Sequence, residues 1–184
     1  MKTSPLALSR RPLLALLAWP LLLAVPPAGA HGPTRQKVVE SVLIDAPPAR
    51  VWALIRDFSA LKDWHPAIAE SPADQGNTPG SVRTLKLRNG ATLAETLDAW
   101  DDAKMRYTYR VKDGLPALPV SNYASTISVS DQGGRALVEW RGGFYRGHPN
   151  NDPPPELNDE AAVAAVTGVY RSGLEQLKKL AEGR

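Results

Sequence analysis

Two oppositely charged residues, Arg83 and Glu95, lie on consecutive predicted strands and are the pair best placed for chemistry in this sequence. A carboxylate inside a protein accepts hydrogen bonds from a ligand, and an arginine beside it offsets the cost of burial. Their orientation depends on the Asn89-Gly90 turn that joins the strands. A two-residue turn would place Glu95 on the face of Thr84, whereas a bulged turn would place it on the face of Arg83. We expect the inward, ligand-binding orientation; the alternative is a half-exposed strand residue.

Aromatic residues with polar tips form the second candidate set for a ligand site. The residues of this set predicted to bind the ligand, together with one serine, are Trp64, Tyr109, Tyr123, Trp140, Tyr170 and Ser125. Such rings suit a pocket wall that holds a ring or an acyl chain, because an apolar body carries a hydrogen-bonding tip. They suit a plain core equally well, and for any single ring we expect the core.

No arrangement of nucleophile, base and acid can be argued from the sequence, so we predict no catalytic residue. The chain has no cysteine, which excludes thiol catalysis and zinc-thiolate sites, and it lacks an HExxH motif. We expect a structural role for His65, either as a cap of the second short helix or at the mouth of the cavity. The acidic residues between 152 and 160 match no calcium loop. We therefore predict no metal and no cofactor, with copper bound at His31 as the metal alternative. We expect a binding protein, and the alternative is an enzyme that resembles a cyclase or a hydrolase.

The first thirty residues have the three parts of a secretory signal peptide. Lys2, Arg10 and Arg11 give a basic start, an apolar run covers positions 13–25, and small residues end the segment at Ala30. The run is too short to span a hydrocarbon core of ~30 Å as a helix. Residues 1–30 are thus predicted to be cleaved, leaving residues 31–184 as one periplasmic domain without stable membrane insertion. The arginine pair fits twin-arginine export as well as the ordinary route.

The charge balance excludes nucleic acid as a partner. The chain has 22 basic and 19 acidic residues, but three of the basic ones lie in the predicted signal peptide. The remaining 19 and 19 leave the predicted mature chain neutral. No run of lysine and arginine remains that would bind nucleic acid or anionic lipid.

The hydrophobic periodicity predicts an α+β domain. It predicts a strand from Lys37 to Ile44 and a helix from Ala49 to Phe58. Leu61, Trp64 and Ile68 indicate a second short helical turn, which ends near Pro66 and again at Pro72. Five antiparallel strands follow between Val82 and Tyr145. Next comes a long amphipathic helix that begins after Asn158 and ends at Gly183. We expect this helix to cover the concave face of the twisted sheet and to enclose a hollow of ligand size.

Several segments resemble the START-like superfamily, which includes the polyketide cyclase/dehydrase-like proteins and the Bet v 1 allergens. The resemblance begins with Val42 to Trp52, continues through Trp64-His65-Pro66 and spans nearly all of the predicted mature chain. It implies a helix-grip fold, in which a curved antiparallel sheet holds the long C-terminal helix around an apolar cavity. The plant abscisic-acid receptors of this superfamily have an acidic residue that lines the cavity at the position that corresponds to Glu95. The positions of Tyr123 and Ser125 are polar cavity residues there.

The predicted export signal and the segment from Tyr145 to Glu160 resemble those of the family of the methanol oxidation protein MxaD. That family is periplasmic and is associated with pyrroloquinoline-quinone methanol dehydrogenase and its cytochrome acceptor. The resemblance implies a non-enzymatic accessory protein with a periplasmic alcohol dehydrogenase and a c-type cytochrome as partners. Its cavity is expected to take a small apolar or aromatic ligand. A carrier of lipid or quinone is the alternative.

Overall fold

A seven-stranded antiparallel sheet and one long helix dominate the computed structural model, which describes residues 32–111 and 118–183. The sheet order is β1-β7-β6-β5-β4-β3-β2. The strands are β1 (Gln36–Ile44), β2 (Ile68–Glu70), β3 (Val82–Leu87), β4 (Thr92–Asp101), β5 (Arg106–Val111), β6 (Val120–Gln132) and β7 (Arg135–Arg146). The helices are α1 (Pro48–Ile55), α2 (Leu61–Trp64) and α3 (Asp159–Glu182), with 3₁₀ turns at Phe58–Ala60 and Pro155–Leu157. The fold is the predicted helix-grip fold; the predicted signal peptide lies outside the described residues.

Two short helices follow β1, as predicted, and the second ends just before Pro66. α2 ends at Trp64, and the next residue, His65, has an extended backbone with φ −109° and ψ 118°. His65 precedes Pro66, whose ring disfavours the helical conformation of the residue before it. Ile68 was expected in the second helix; it instead begins the edge strand β2.

The long helix α3 has the start and the end that the sequence predicted. The side chain of Asn158 accepts a hydrogen bond from the Ala161 N–H (2.7 Å), and Gly183 takes a left-handed φ of 72° after the last turn. The buried stripe of the helix consists of Ala162, Val166, Tyr170, Gly173, Leu174, Leu177 and Ala181. This stripe packs mainly against β1 and β7, so α3 lies across one face of the sheet. No helix in the described part of the chain is long and apolar enough to cross a membrane.

The β3–β4 hairpin determines the face on which Glu95 lies. Leu87 N–H donates to the Ala91 carbonyl (2.8 Å) and Gly90 N–H donates to the Leu87 carbonyl (2.9 Å), so three residues form the turn. Gly90 has a φ of 90°, which glycine adopts without strain. Because the turn has three residues, Glu95 lies directly opposite Arg83. Glu95 is 6% exposed and Arg83 is 1% exposed. The inward orientation is confirmed.

Candidate functional site

A cavity of about 70 Å³ lies between the inner face of the sheet, α2 and α3. Its walls are mainly apolar and include Leu61, Ile68, Leu85, Leu87, Leu93, Val111, Leu118 and Val169. Exposed Ala67 and the half-buried leucines of the β3–β4 hairpin surround the mouth. Typical ligand sites measure roughly 300–1,000 Å³. A ligand therefore places only a small apolar end in this cavity, or it displaces the residues of the mouth.

The eight predicted site residues divide into two groups. Those that line the cavity are Glu95, Tyr109, Tyr123 and Trp140. Those that are buried behind the lining are Trp64, Arg83, Ser125 and Tyr170. The sequence analysis missed the apolar lining, because a buried leucine has the same pattern in a cavity wall as in a solid core. His65, for which a place at the cavity mouth was one of the two expectations, lines the cavity.

Glu95 and Arg83 form a buried ion pair. Arg83 donates to one oxygen, Glu95 Oε2, through both Nε (2.9 Å) and Nη2 (2.5 Å). Its Nη1 donates to the carbonyl oxygen of Phe58 (2.7 Å), and the guanidinium lies 4.0 Å from the centre of the Phe58 ring. Burial lowers the pKa of Arg83, but the attraction of the Glu95 carboxylate, the contributions of Tyr107 and Tyr109 and the hydrogen bond to Glu95 together outweigh burial and raise this pKa.

The second carboxylate oxygen of Glu95, Oε1, has no hydrogen-bond donor among the described residues. Within residues 32–111 and 118–183, both hydrogen bonds to the carboxylate go to Oε2 and no group donates to Oε1. Glu95 lines the cavity, and Arg83 compensates its charge from behind. A site of this kind favours an apolar ligand that carries a hydroxyl or amine donor, and it disfavours a ligand carboxylate.

A chain of buried hydroxyl groups supports the wall on the side of α3. Ser125 donates its only hydroxyl hydrogen to the carbonyl oxygen of Arg141 (2.9 Å). Tyr170 must therefore donate to Ser125 (2.8 Å), and Tyr123 must donate to Tyr170 (2.7 Å). Trp140 adds an indole N–H to Ser125 (3.0 Å) and stacks on Tyr170, with ring centres 4.5 Å apart. The chain ends on a backbone carbonyl, so each of these three hydroxyls has an acceptor.

Tyr109 has the least constrained hydroxyl of the wall. It accepts the Trp140 N–H (3.1 Å), but its distance to the Tyr123 hydroxyl is 3.5 Å, at the limit of a hydrogen bond. Its own hydrogen is consequently available to an acceptor on a ligand. Burial raises the pKa of Tyr109 and Tyr123 well above the ordinary value and that of Tyr170 to about 12. The tyrosines are neutral donors at neutral pH, not bases.

His65 is a neutral histidine in the cavity wall. Its Nε2 lies 3.1 Å from the carbonyl oxygen of Val169, so Nε2 carries the hydrogen, and its Nδ1 accepts the Ala67 N–H (3.2 Å). Burial lowers the pKa of His65, the nearby Arg83 lowers it further, and the hydrogen bond to Val169 opposes both. His65 therefore ties the segment before β2 to α3, which is the structural role predicted from the sequence.

The lowered pKa of His65 makes the stability of the protein depend on pH. The unfolded chain binds a proton at His65 below about pH 6.5, the ordinary value, whereas the folded chain binds it only at lower pH. We expect the free energy of unfolding to be highest above this pH and to fall as the pH drops towards 5. Urea denaturation between about pH 5 and 8 measures it. His65→Gln should flatten this window; a variant that keeps the full pH dependence of the wild type would refute the assignment.

The segment 147–155 between β7 and α3 is exposed at its tip and fixed at its base. Arg146, which is buried, donates to the carbonyl oxygens of His148 (3.0 Å) and Asn150 (2.9 Å) and contacts Asp159 (3.3 Å). Arg146 thus ties the base of the loop to the end of β7 and the start of α3. Neither here nor elsewhere in the described ranges do three histidine, aspartate or glutamate side chains gather to hold a metal ion. His31 lies outside these ranges.

Known proteins are similar to this chain in sequence and in fold. Residues 35–182 match the family model for polyketide cyclase/dehydrase and lipid transport. A protein of Oryza sativa subsp. japonica named abscisic acid receptor PYL10 is 27% identical over 165 residues, which cover 83% of this chain and 74% of its own length. The crystal structure of an uncharacterised Bacillus thuringiensis protein is 34% identical with a TM-score of 0.66, covering 79% of this chain and 98% of that one. The protein XoxI from Bacillus cereus has the same identity and TM-score, with coverages of 79% and 94%.

Proposed function

Since the chain belongs to the polyketide cyclase/dehydrase and lipid transport family, we propose that it is a non-enzymatic periplasmic accessory protein with a small-molecule cavity. The observation that carries this proposal is the apolar cavity, at whose wall one oxygen of Glu95 receives no hydrogen bond from any residue that the structure describes. The family binds small hydrophobic ligands. For this chain we propose a small apolar or aromatic molecule with a hydroxyl or amine group that donates to Glu95.

The contacts of the ionisable residues support a binder rather than an enzyme. The Glu95 carboxylate is held by Arg83, and both ring nitrogens of His65 have backbone partners. The wall tyrosines have raised pKa values and pass their hydrogen bonds to one another. Acid–base catalysis needs a group that can exchange a proton with a substrate near neutral pH. These groups are instead engaged in holding the wall.

Closing the mouth of the cavity should abolish ligand binding. We expect Ala67→Trp to weaken binding of N-phenyl-1-naphthylamine, a neutral fluorescent aromatic amine, by at least about tenfold, because the indole fills the mouth. Ala49→Trp, an exposed site on α1 away from the cavity, is the matched control and should bind as the wild type does. Fluorescence titration measures both. If the two variants bind the dye equally well, the cavity is not the binding site.

A stoichiometric lipid or quinone in native mass spectra would instead indicate a carrier.

The proposed partners are a pyrroloquinoline-quinone methanol dehydrogenase and its c-type cytochrome. The similarity of the segment Tyr145 to Glu160 to the MxaD family supports them. The exposed, anchored loop at 147–155 supports the same role, because functional contacts are concentrated on loops held by a rigid scaffold. We propose that this loop contacts the redox proteins and assists their association.

The partner proposal is tested by the rate of electron transfer. Adding the purified protein to the host's dehydrogenase and cytochrome should speed cytochrome reduction in a stopped-flow experiment. Turnover of the dehydrogenase with an artificial dye acceptor should not change, because the protein acts on the encounter and not on the chemistry. Replacing Asn150 and Asn151 by alanine should reduce the acceleration while the anchoring by Arg146, which uses backbone carbonyls, is kept. An unchanged transfer rate would exclude this role.

A further inference from the structure

The outer face of the sheet, on the side away from the cavity, carries a basic depression of about 310 Å³. Its floor is close to bare backbone because it is formed by Ala124, Gly142 and Gly143. We call this feature the basic trough and define it by Arg35, Lys37, Val39, Ala124, Thr126, Arg141, Gly142 and Gly143. Arg141 follows Trp140, which faces the cavity, so alternation along β7 directs Arg141 outwards.

The strand register assembles the trough from residues that are about a hundred positions apart. Lys37 on β1 lies opposite Gly143 on β7. Gly143 lies opposite Ala124 on β6, and Ala124 lies opposite Arg110 on β5. With neighbouring strands ~4.8 Å apart, Lys37 and Arg110 are separated by about 14 Å across the sheet. Lys37 stands at one end of this row of small residues without an ion pair among the described residues, and Arg110 stands at the other end, where it pairs with Asp98 at 3.2 Å. No run in the sequence could indicate this cluster.

The cations of the trough are largely uncompensated. Arg35 and Lys37 are exposed and form no ion pair within the described residues. The contact of Arg141 with Glu139 is long, at 3.7 Å. Arg35 lies across Gly143, where an added Cβ would be only 2.7 Å from its Nη2. Several like charges in one concave surface produce a positive potential that attracts an anionic group.

We propose that the basic trough is a docking site for an acidic segment of a partner protein. A row of about 14 Å corresponds to roughly four residues of extended chain at ~3.3 Å each, so it fits a run of aspartate or glutamate better than a single anion. Val39, which is 58% exposed, offers an apolar contact beside the cations. Gly143 lies only a few residues before the loop at 147–155, so trough and loop belong to neighbouring surface. The inference rests on the accessory role proposed above and needs no ligand in the cavity.

A charge-reversal pair tests the docking site. The probe is a fluorescein-labelled peptide of eight glutamates, and its binding to the full-length purified protein is measured by fluorescence anisotropy at low salt. Arg35→Glu with Lys37→Glu is expected to weaken binding by about tenfold or more. Arg50→Glu with Lys179→Glu changes the net charge equally on α1 and α3, where neither residue has an ion pair in the described ranges, and should bind within about twofold of the wild type. Amide NMR shifts should change at Gly143 and Ala124 and not at Leu85.

Each other outcome overturns the proposal. Equal weakening in both variants would show an effect of net charge alone, and displacement of the peptide by an equal concentration of inorganic phosphate would show a simple anion site. Stronger binding to phosphatidylglycerol vesicles than to the peptide would indicate a membrane surface. Titration with N-phenyl-1-naphthylamine separates this test from the cavity, because both charge variants should bind the dye as the wild type does. If the peptide does not bind the basic trough, the result for dye binding in the cavity is unaffected. If the dye does not bind the cavity, the result for peptide binding is unaffected.

Discussion

Arg83→Met is expected to lower the free energy of unfolding by about 3–5 kcal/mol, the cost of leaving a buried charge without its partner. The substitution keeps most of the apolar volume but removes the guanidinium that compensates Glu95, which is only 6% exposed. It also removes the donor to the Phe58 carbonyl oxygen. Denaturation in urea near pH 7 measures the change.

The double variant Arg83→Met with Glu95→Leu separates the ion pair from the packing. Removing both charges leaves no uncompensated carboxylate, and buried pairs replaced by apolar residues of similar volume often cost little. We expect the double variant to lie within about 1–2 kcal/mol of the wild type. A double variant as unstable as Arg83→Met alone would show that the pair contributes through shape or through the Phe58 contact and not through charge.

Short sequence signals were sufficient to predict the ends of α3, because these ends depend on contacts between residues close together in the chain. The Asn158 cap and the end of α3 at Gly183 depend on residues within one turn, and both were predicted correctly. The inward face of Glu95 is the favoured expectation but not the only one, because the face depends on one residue of turn length. Asn89-Gly90 fits a two-residue or a three-residue hairpin, and the hydrogen bond from Gly90 to Leu87 selects the second.

The depth of a side chain was harder to predict than its face. Tyr123 and Ser125 are both inward on β6, but the short serine stays behind the wall, where Tyr170 covers it, while Tyr123 reaches the cavity. Alternation along a strand gives the face and says nothing about what another element places in front of it. The basic trough was missed for a related reason, since its cations meet only through the register of β1 and β7.

Gly173→Ala is expected to lower the free energy of unfolding by about 2 kcal/mol, although alanine favours a helix over glycine by about 1 kcal/mol. A Cβ at Gly173 would lie 2.6 Å from His65 Cδ2 and 2.8 Å from Trp140 Cζ3. Neither ring can retreat easily. His65 is held by the Val169 carbonyl oxygen, and Trp140 is stacked on Tyr170. The missing side chain is what allows α3 to approach the wall of the cavity.

Gly168→Ala, on the same helix, supplies a control of opposite sign. Gly168 is exposed, and a Cβ there meets nothing within 4 Å, so the substitution should raise the free energy of unfolding by about 0.5–1 kcal/mol through helix propensity. Urea denaturation of both variants, with the dye titration as a measure of the cavity, compares them directly. If Gly173→Ala stabilises the protein as Gly168→Ala does, α3 can move away from the sheet at no cost. The cavity would then be set by a loose contact rather than by the close approach of Gly173 to His65 and Trp140.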